Sequence, residues 1–519
     1  MKVAALLLML APLTASGQRA DVRIAGGMVH DGEGGPPRVA DVYLRGDRIV
    51  HVGDSAGWSA ARTVSARGLV VAPGFIDPHV HAEGDLASDD RARRQAAYAL
   101  MQGVTTVITG NDGRGPVGVS LALAQLRADS IGPNTAMLTG HGRIRDAVLG
   151  QAARAPTASE LARMEAMVDS AMRGGALGLS SGLYYAPGSW ATTGEVVALA
   201  RVAARHGGLY DTHIRDEGSY DIGSLAAIDE ALAVGRRARV PVHIAHIKAL
   251  GADVRGRSAA VIARIRAAIR RGQRVTADQY PWTASSTGLG SALLPRWAEA
   301  GGRDSLRARL ADPATRQRIA AGMRENLRRR NGAESLLLTV IGGSESLRAE
   351  ARGRTRAAFA AGRGIDPVEA AILILEDGGA SVASFTMEED DIVAFMREPW
   401  VMTGSDGSTG HPRKYATYPR KLRRYVLDEP VLTLERMIAA STAQVADAFG
   451  IRGRGRICAG CFADVIVFDP ARVEEAADYA TPDRLAGGMH WVFVNGEAVV
   501  AAGALTDALP GRALARWDR

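Results

Sequence analysis

Apolar and polar positions along the 519-residue chain fall into two textures. From Asp21 to about Pro73, in "DVRIAGGMVHDG", "ADVYLRGDRIVHVG" and "GLVVAPG", apolar residues alternate with polar ones and Gly and Asp cut the runs, which predicts short strands joined by tight turns. The same texture returns in "ADVIVFDP" and "MHWVFVNGEAVVAAG", where Asn495-Gly496 is a hairpin signal. The two ends, 18–73 and 452–519, therefore read as halves of one small β-sandwich around a large insertion.

Inside the insertion, 74–451, apolar runs alternate with segments whose apolar residues recur every three or four positions, such as "SELARMEAMVDSAMRGG" and "GSLAAIDEALAVGRRA". The strand-like runs are "GFIDPHVH", "TTVITGND", "TAMLTGHG", "ALGLSSG", "LYDTHI", "VPVHIAHI", "RVTADQY" and "VMTGSDG", eight in all, which predicts an α/β chain with a (β/α)8 TIM barrel. A stretch near 286–366 breaks the rhythm after the seventh run. It holds charged helices and the apolar "ESLLLTVIGG", and is expected to form an inserted subdomain over the barrel mouth.

Composition changes this picture little. Hydrophobic content of 47% with 60 Gly and 5% aromatics fits an α/β protein, and the formal charge of +7 comes from arginines spread along helices, which does not point to nucleic acid. Residues 1–17 pair Lys2 with an apolar stretch from Val3 to Leu13 and small residues at Ala15 and Gly17. That pattern predicts a cleaved secretory signal peptide, too short to span a bilayer, and a secreted or periplasmic protein. No cysteine follows the expected cut, so no membrane anchor is expected. Cys458 and Cys461 in "CAGC" lack a second pair and read as small residues, open to oxidation after export, rather than a zinc or redox site.

Six of the 11 histidines fall at or just past a predicted strand end: His79, His81, His141, His213, His246 and His411. Barrel strands present reacting groups at their carboxyl ends, and strand side chains alternate, so His79 and His81 share a face and can close on one metal ion. By the same alternation His243 points to the opposite face from His246, toward the helices. Asp406 ends the eighth run between glycines. A carboxylate there can take a proton from water activated by the metal and return it to a leaving group.

These stretches resemble the amidohydrolase superfamily and, within it, the D-aminoacylase or N-acyl-D-amino-acid deacylase family. The match runs in order through "APGFIDPHVH", "GVTTVITGNDG", "YDTHIRDE", "VHIAHIKALG", "DQYPWTASST", "MTGSDG", "HPRKYATYPRKL" and "GCFADVIVFDP". The His-x-His pair alone carries the superfamily; "THIRDE" with "HPRKYATYPR" points to the deacylases. The resemblance implies zinc, one or two ions, with His213 and His246 at a tight position and His79 and His81 at a looser one. It further implies that Asp406 is the general acid/base, that Lys248, Tyr280 and Ser286 meet the substrate carboxylate, and that Tyr185 lies near the scissile amide. One departure stands out. Where relatives carry Cys in "GNCG", this chain has Asn111-Asp112-Gly113, and Asp112 is a harder donor that can still ligate zinc. In the short loop "SDGSTGHPR" no specificity arginine is recognisable, which leaves acidic and neutral substrate side chains both open.

Arg215, on the face of His213, is expected to orient substrate or pair with an acid such as Glu217. His141 and His411 are expected to approach the acyl group or the metal-site water from their loops. The reaction implied is zinc-dependent hydrolysis of an N-acyl-D-amino acid, a small-molecule partner, to a carboxylate and a free D-amino acid. Two other classes stay open: a metal-dependent dipeptidase or cyclic-amide hydrolase of the same superfamily, and a non-catalytic barrel acting as a binding protein. The fourth run, "ALGLSSG", offers no lysine for a carboxylated-lysine site, which disfavours the hydantoinase-like route.

Overall fold

The computed structural model describes residues 18–518; the expected signal peptide lies outside them. Eight short parallel strands form the barrel: β1 (Phe75–Asp77), β2 (Val104–Thr109), β3 (Asn134–Met137, continued by Thr139–Gly140), β4 (Gly178–Gly182), β5 (Leu209–His213), β6 (Val242–Ile244), β7 (Val275–Gln279) and β8 (Val401–Thr403). Neighbours pair in chain order, and a parallel bridge between Val80 and Gly407 closes the ring from β1 to β8. The strands are buried on both faces because helices cover them. Helix Ala158–Arg173 shows why such segments fold as they do: Thr157 and Glu160 form a capping box, and Met164, Val168 and Met172, spaced by four, face the strands.

The two chain ends meet in one nine-stranded sheet. Val70–Pro73 pairs antiparallel with Val465–Phe468, and Ile24, Val42, Ile49, Val71, Val465 and Phe493 fill the core beneath. A buried polar knot fastens this sheet to the barrel: Asp464 pairs with Arg454 and accepts the Asn495 backbone N–H at 2.8 Å, and Asn495 donates to Asn134 of β3 at 2.8 Å. Cys458 and Cys461 are joined as a disulfide.

The insertion is larger than the expected 286–366. Its three-stranded antiparallel sheet places Ala380–Phe385 between Ala284–Gly288 and Leu336–Ile341, over a separate core that includes Leu293, Met323, Phe359 and Ile372. The unit cannot end at Asp366, which caps helix Pro367–Asp377 by accepting the Val368 N–H at 2.8 Å. Its central strand returns only afterwards.

Helix Arg413–Leu422, the "HPRKYATYPRKL" stretch, seats β8 against β1. The Tyr418 hydroxyl reaches the carbonyls of Ile76 and Thr403, both at 3.3 Å, Lys421 donates to Thr403 Oγ1 at 2.9 Å, and Lys414 pairs with Asp85 at 2.6 Å. The polar residues of this motif are thus used inside the protein, to hold together the two strands that carry His79, His81 and Asp406. Among the described residues no helix is long and apolar enough to cross a membrane.

Candidate active site

At the carboxyl rim of the barrel the backbone itself pairs the first and last strands. The His81 N–H donates to Gly407 O at 3.0 Å and the Asp406 N–H to His79 O at 2.8 Å. The next turn is tied in by Asn111, whose amide donates to Pro78 O at 3.0 Å. Gly113, at φ +71°, lets this turn pack closely, since a Cβ there would stand 2.9 Å from Gly182 N.

Asp112 occupies the centre. Its Oδ1 lies 3.6 Å from His79 Nε2, 3.6 Å from His213 Nδ1 and 3.4 Å from His246 Nε2, and its Oδ2 lies 3.4 Å from His81 Nε2. Asp406 Oδ1 approaches His79 and His81 at 3.6 and 3.3 Å. Donor atoms of His79, Asp112, His246 and Asp406 all fall within 4.8 Å of one another, as do those of His213, Glu217 and His246. Both ring nitrogens of His79 and of His213, and Asp112 Oδ1, are buried without a hydrogen-bond partner. Orphaned imidazole and carboxylate atoms converging on one point are costly unless a cation completes them, and nitrogen and oxygen donors suit zinc. The residues present fit the metal.

Three of these residues, Asp112, His246 and Asp406, have positive φ of 57°, 35° and 46°. Such backbone is sparsely populated by side-chain-bearing residues and persists where surrounding structure enforces it, commonly at functional sites.

The acid Asp278, at the end of β7, was not singled out from the sequence. It holds His243 Nε2 at 2.9 Å and lies 3.7 Å from His79 Nδ1, so it orients a metal-site imidazole from behind. His243 stays out of the donor groups and lies edge-on to Phe449, with ring centroids 4.9 Å apart. Glu217, expected as a partner of Arg215, instead reaches His246 Nδ1 at 3.1 Å, His213 Nε2 at 3.6 Å and Lys248 at 2.5 Å. Burial would push the Asp406 carboxyl up, but the Arg413 guanidinium 2.8 Å away, then His246, hold it well below the usual carboxylate range.

A cavity of about 220 Å³ opens above this centre. Tyr185, Lys248, Tyr280 and Ser286 line it, together with Arg413 and, from the insertion, Arg330. The Tyr280 hydroxyl is buried without a partner. Burial first, against the opposing Arg413, keeps it protonated as a donor.

Three expectations fail. Arg215 pairs with Glu230 at 2.8 Å and with the carbonyls of Ser189 and Ala191, away from the cavity, because β5 ends at His213 and strand alternation no longer governs Arg215. His141 binds Glu195 at 2.9 Å, beside Arg145. His411 is held between Ala284 O at 3.1 Å and the Arg413 N–H at 3.1 Å, against Trp282 and Tyr479. All three are buried, and none of them lines the cavity.

The amidohydrolase family model matches residues 62–504. The D-aminoacylase of Alcaligenes xylosoxydans xylosoxydans is 35% identical over 96% of this chain and 98% of its own. A solved D-aminoacylase structure superposes with a TM-score of 0.82 at 34% identity, covering 96% of this chain and 100% of that one. The N-acyl-D-glutamate deacylase of Bordetella bronchiseptica, solved with zinc and a phosphonate inhibitor that mimics the tetrahedral intermediate, superposes with a TM-score of 0.81 at 32% identity, again over 96% and 100%.

Proposed function

The chain belongs to the amidohydrolase family, and we propose that it is a zinc-dependent deacylase that hydrolyses N-acyl-D-amino acids to a carboxylate and a free D-amino acid. The observation that carries this reading is the convergence of His79, His81, Asp112, His213 and His246 around one point with Asp406 beside them. These five residues would hold the metal. Zinc bound there supplies Lewis-acid polarisation of the amide carbonyl and acidifies water toward a pKa of about 7.

The protein's own residues account for the rest. Asp406, kept ionised by Arg413, accepts the proton of the attacking water and delivers it to the departing amide nitrogen, without which the amine is a poor leaving group. Tyr280 offers an unpartnered hydroxyl to the substrate carboxylate, beside Ser286 and Lys248. Lys248 is itself tied to Glu217 and His246, so it also fixes the orientation of a metal-site imidazole. The insertion contributes Ser286, Arg330, Val340 and Ser381 to the wall of the cavity.

The test is release of free amine from N-acetyl-D- and N-acetyl-L-amino acids by purified protein. D-selective hydrolysis supports the reading, and turnover confined to dipeptides or cyclic amides refutes it. We also propose that the mature enzyme works outside the cytoplasm. The leader-like pattern of residues 1–17 supports this, as does the disulfide that joins Cys458 to Cys461. Cell fractionation with sequencing of the mature N-terminus checks it; an uncleaved cytoplasmic protein would refute it.

A further inference from the structure

An imidazole that ligates zinc offers one bare nitrogen, and in the neutral ring the other nitrogen carries the proton and needs an acceptor. His213 and His246 turn different atoms toward the centre. His213 presents Nδ1 to Asp112 at 3.6 Å, whereas His246 presents Nε2 at 3.4 Å. Their outward nitrogens, His213 Nε2 and His246 Nδ1, nevertheless face the same side chain. Glu217 Oε2 lies 3.6 Å from the former and Oε1 3.1 Å from the latter. Among the described residues Asp112 and Glu217 are the only carboxylates within 4 Å of either ring.

Glu217 is buried and its backbone is pinned from two sides. The Leu250 N–H donates to Glu217 O at 3.0 Å, which joins the loop after β5 to the loop after β6. The neighbouring Asp216 accepts the N–H groups of Gly218, Asp221 and Gly223 at 2.8, 2.7 and 2.9 Å. Donor atoms of His213, Glu217 and His246 lie close enough together to hold a cation of their own. The chain supplies that positive charge itself: Lys248 Nζ lies 2.5 Å from Glu217 Oε1 and 2.6 Å from His246 Nδ1. An ammonium only donates, so with Nε2 given to zinc it cannot accept the Nδ1 proton, and the acceptor in reach is Glu217.

We propose that Glu217 is a positioning residue that fixes both His213 and His246 with their inward nitrogens bare for zinc, one carboxylate serving two imidazoles that present different ring atoms. The same carboxylate anchors Lys248, which lines the cavity. The inference rests on the zinc-deacylase reading and adds a residue to it.

The experiment measures zinc affinity of the purified protein by competition with a chromophoric chelator, and zinc per chain at saturation, for wild type, Glu217→Gln, Glu217→Asp and Lys248→Met. Glutamine keeps the shape but turns one acceptor into a donor that faces an imidazole N–H or the ammonium. Glu217→Gln is expected to weaken zinc binding by about 10- to 100-fold, with hydrolysis of N-acetyl-D-leucine lost at limiting zinc and regained in excess. Glu217→Asp keeps both acceptors on a shorter stem and is expected to lose less affinity. Lys248→Met is expected to bind zinc no more weakly than wild type while raising KM. Equal affinity in wild type and Glu217→Gln overturns the proposal. So does a Glu217→Asp as weak as Glu217→Gln, which leaves only a packing role, or a Lys248→Met as weak, which assigns the effect to the lysine. Fewer ions at saturation in Glu217→Gln also overturns it, because Glu217 is then a ligand. Should Glu217→Gln not fold, Glu217→Asp decides against wild type, and unchanged affinity overturns the proposal. Affinity is read without substrate, so failure to hydrolyse any N-acetyl-D-amino acid refutes the deacylase reading and leaves the zinc measurements to decide the role of Glu217.

Discussion

Lys421 is 1% exposed, and its ammonium has one hydrogen bond, to Thr403 Oγ1 at the end of β8. Burial, then the nearby Arg436 charge, lowers it from 10.5 to about 7 against the weaker pull of Asp278. The sign follows from proton counting. Between about 7 and 10.5 the unfolded chain binds a proton that the folded one releases, so stability rises with pH across that window and the full penalty persists below it. With each pKa unit worth about 1.36 kcal/mol, the penalty is about 4 kcal/mol at pH 7 and about 2 kcal/mol at pH 9. Replacing Lys421 by Met keeps the apolar stem and gives up a hydrogen bond worth about 1 kcal/mol. Ser441 Oγ still reaches Thr403 Oγ1 at 2.8 Å. Lys421→Met is therefore expected to be more stable than wild type by about 3 kcal/mol at pH 7 and by about 1 kcal/mol at pH 9. Urea unfolding at the two pH values measures both gaps, and the difference between variants cancels other titrating groups. A gap that does not change with pH, or a variant destabilised at pH 7, would refute the reasoning.

Removal of metal by chelation should abolish hydrolysis of N-acetyl-D-amino acids and zinc add-back should restore it; full activity after verified metal removal would contradict the site. Asp406→Asn should lower kcat by about 100- to 10,000-fold, as expected for loss of a general acid/base, and a variant as active as wild type would remove the mechanism. Asp112→Ala should reduce the zinc bound per chain, whereas Asp112→Cys should retain it, as read by elemental analysis; equal zinc in wild type and Asp112→Ala would sink the central role of this residue. Arg215→Met leaves the half-buried Glu230 carboxylate with only the Thr193 hydroxyl, and should cost about 1–3 kcal/mol in unfolding free energy with kcat/KM unchanged. A raised KM without lost stability would return Arg215 to the substrate.

The barrel and the imidazole cluster were legible because both rest on local regularities, strand alternation and the recurrence of His and Asp at strand ends. The same rule marks where reading from sequence stops. It holds for His213, the last residue of β5, and fails two residues later at Arg215, whose partner Glu230 belongs to the following helix. His141 and His411 also sit beyond strand ends, but Glu195 is 54 positions from the former and Ala284 is 127 positions from the latter. Local pattern carries no information about such pairings. Asp278 and Glu217 stood inside quoted stretches, yet an acid beside a histidine becomes an orienting partner only once distant strands bring them together. The insertion shows the same limit: its apolar run at Leu336–Ile341 was visible, but which later strand would complete that sheet was not.

A carboxylate at Asp112, where the resemblance implies a cysteine, makes sense at two levels of structure. The residue stands at φ +57°, a region that Asp and Asn enter at less cost than most side chains because their short polar groups bond locally. The backbone of this turn therefore favours Asp. A thiolate also offers a single donor atom, whereas the two oxygens of Asp112 face different imidazoles, Oδ1 toward His79, His213 and His246 and Oδ2 toward His81. One carboxylate can thus address both histidine pairs at once, which is what one ion or two would require of the residue between them. With an oxidisable sulfur absent from the centre, the chain keeps its two cysteines for a disulfide remote from the chemistry.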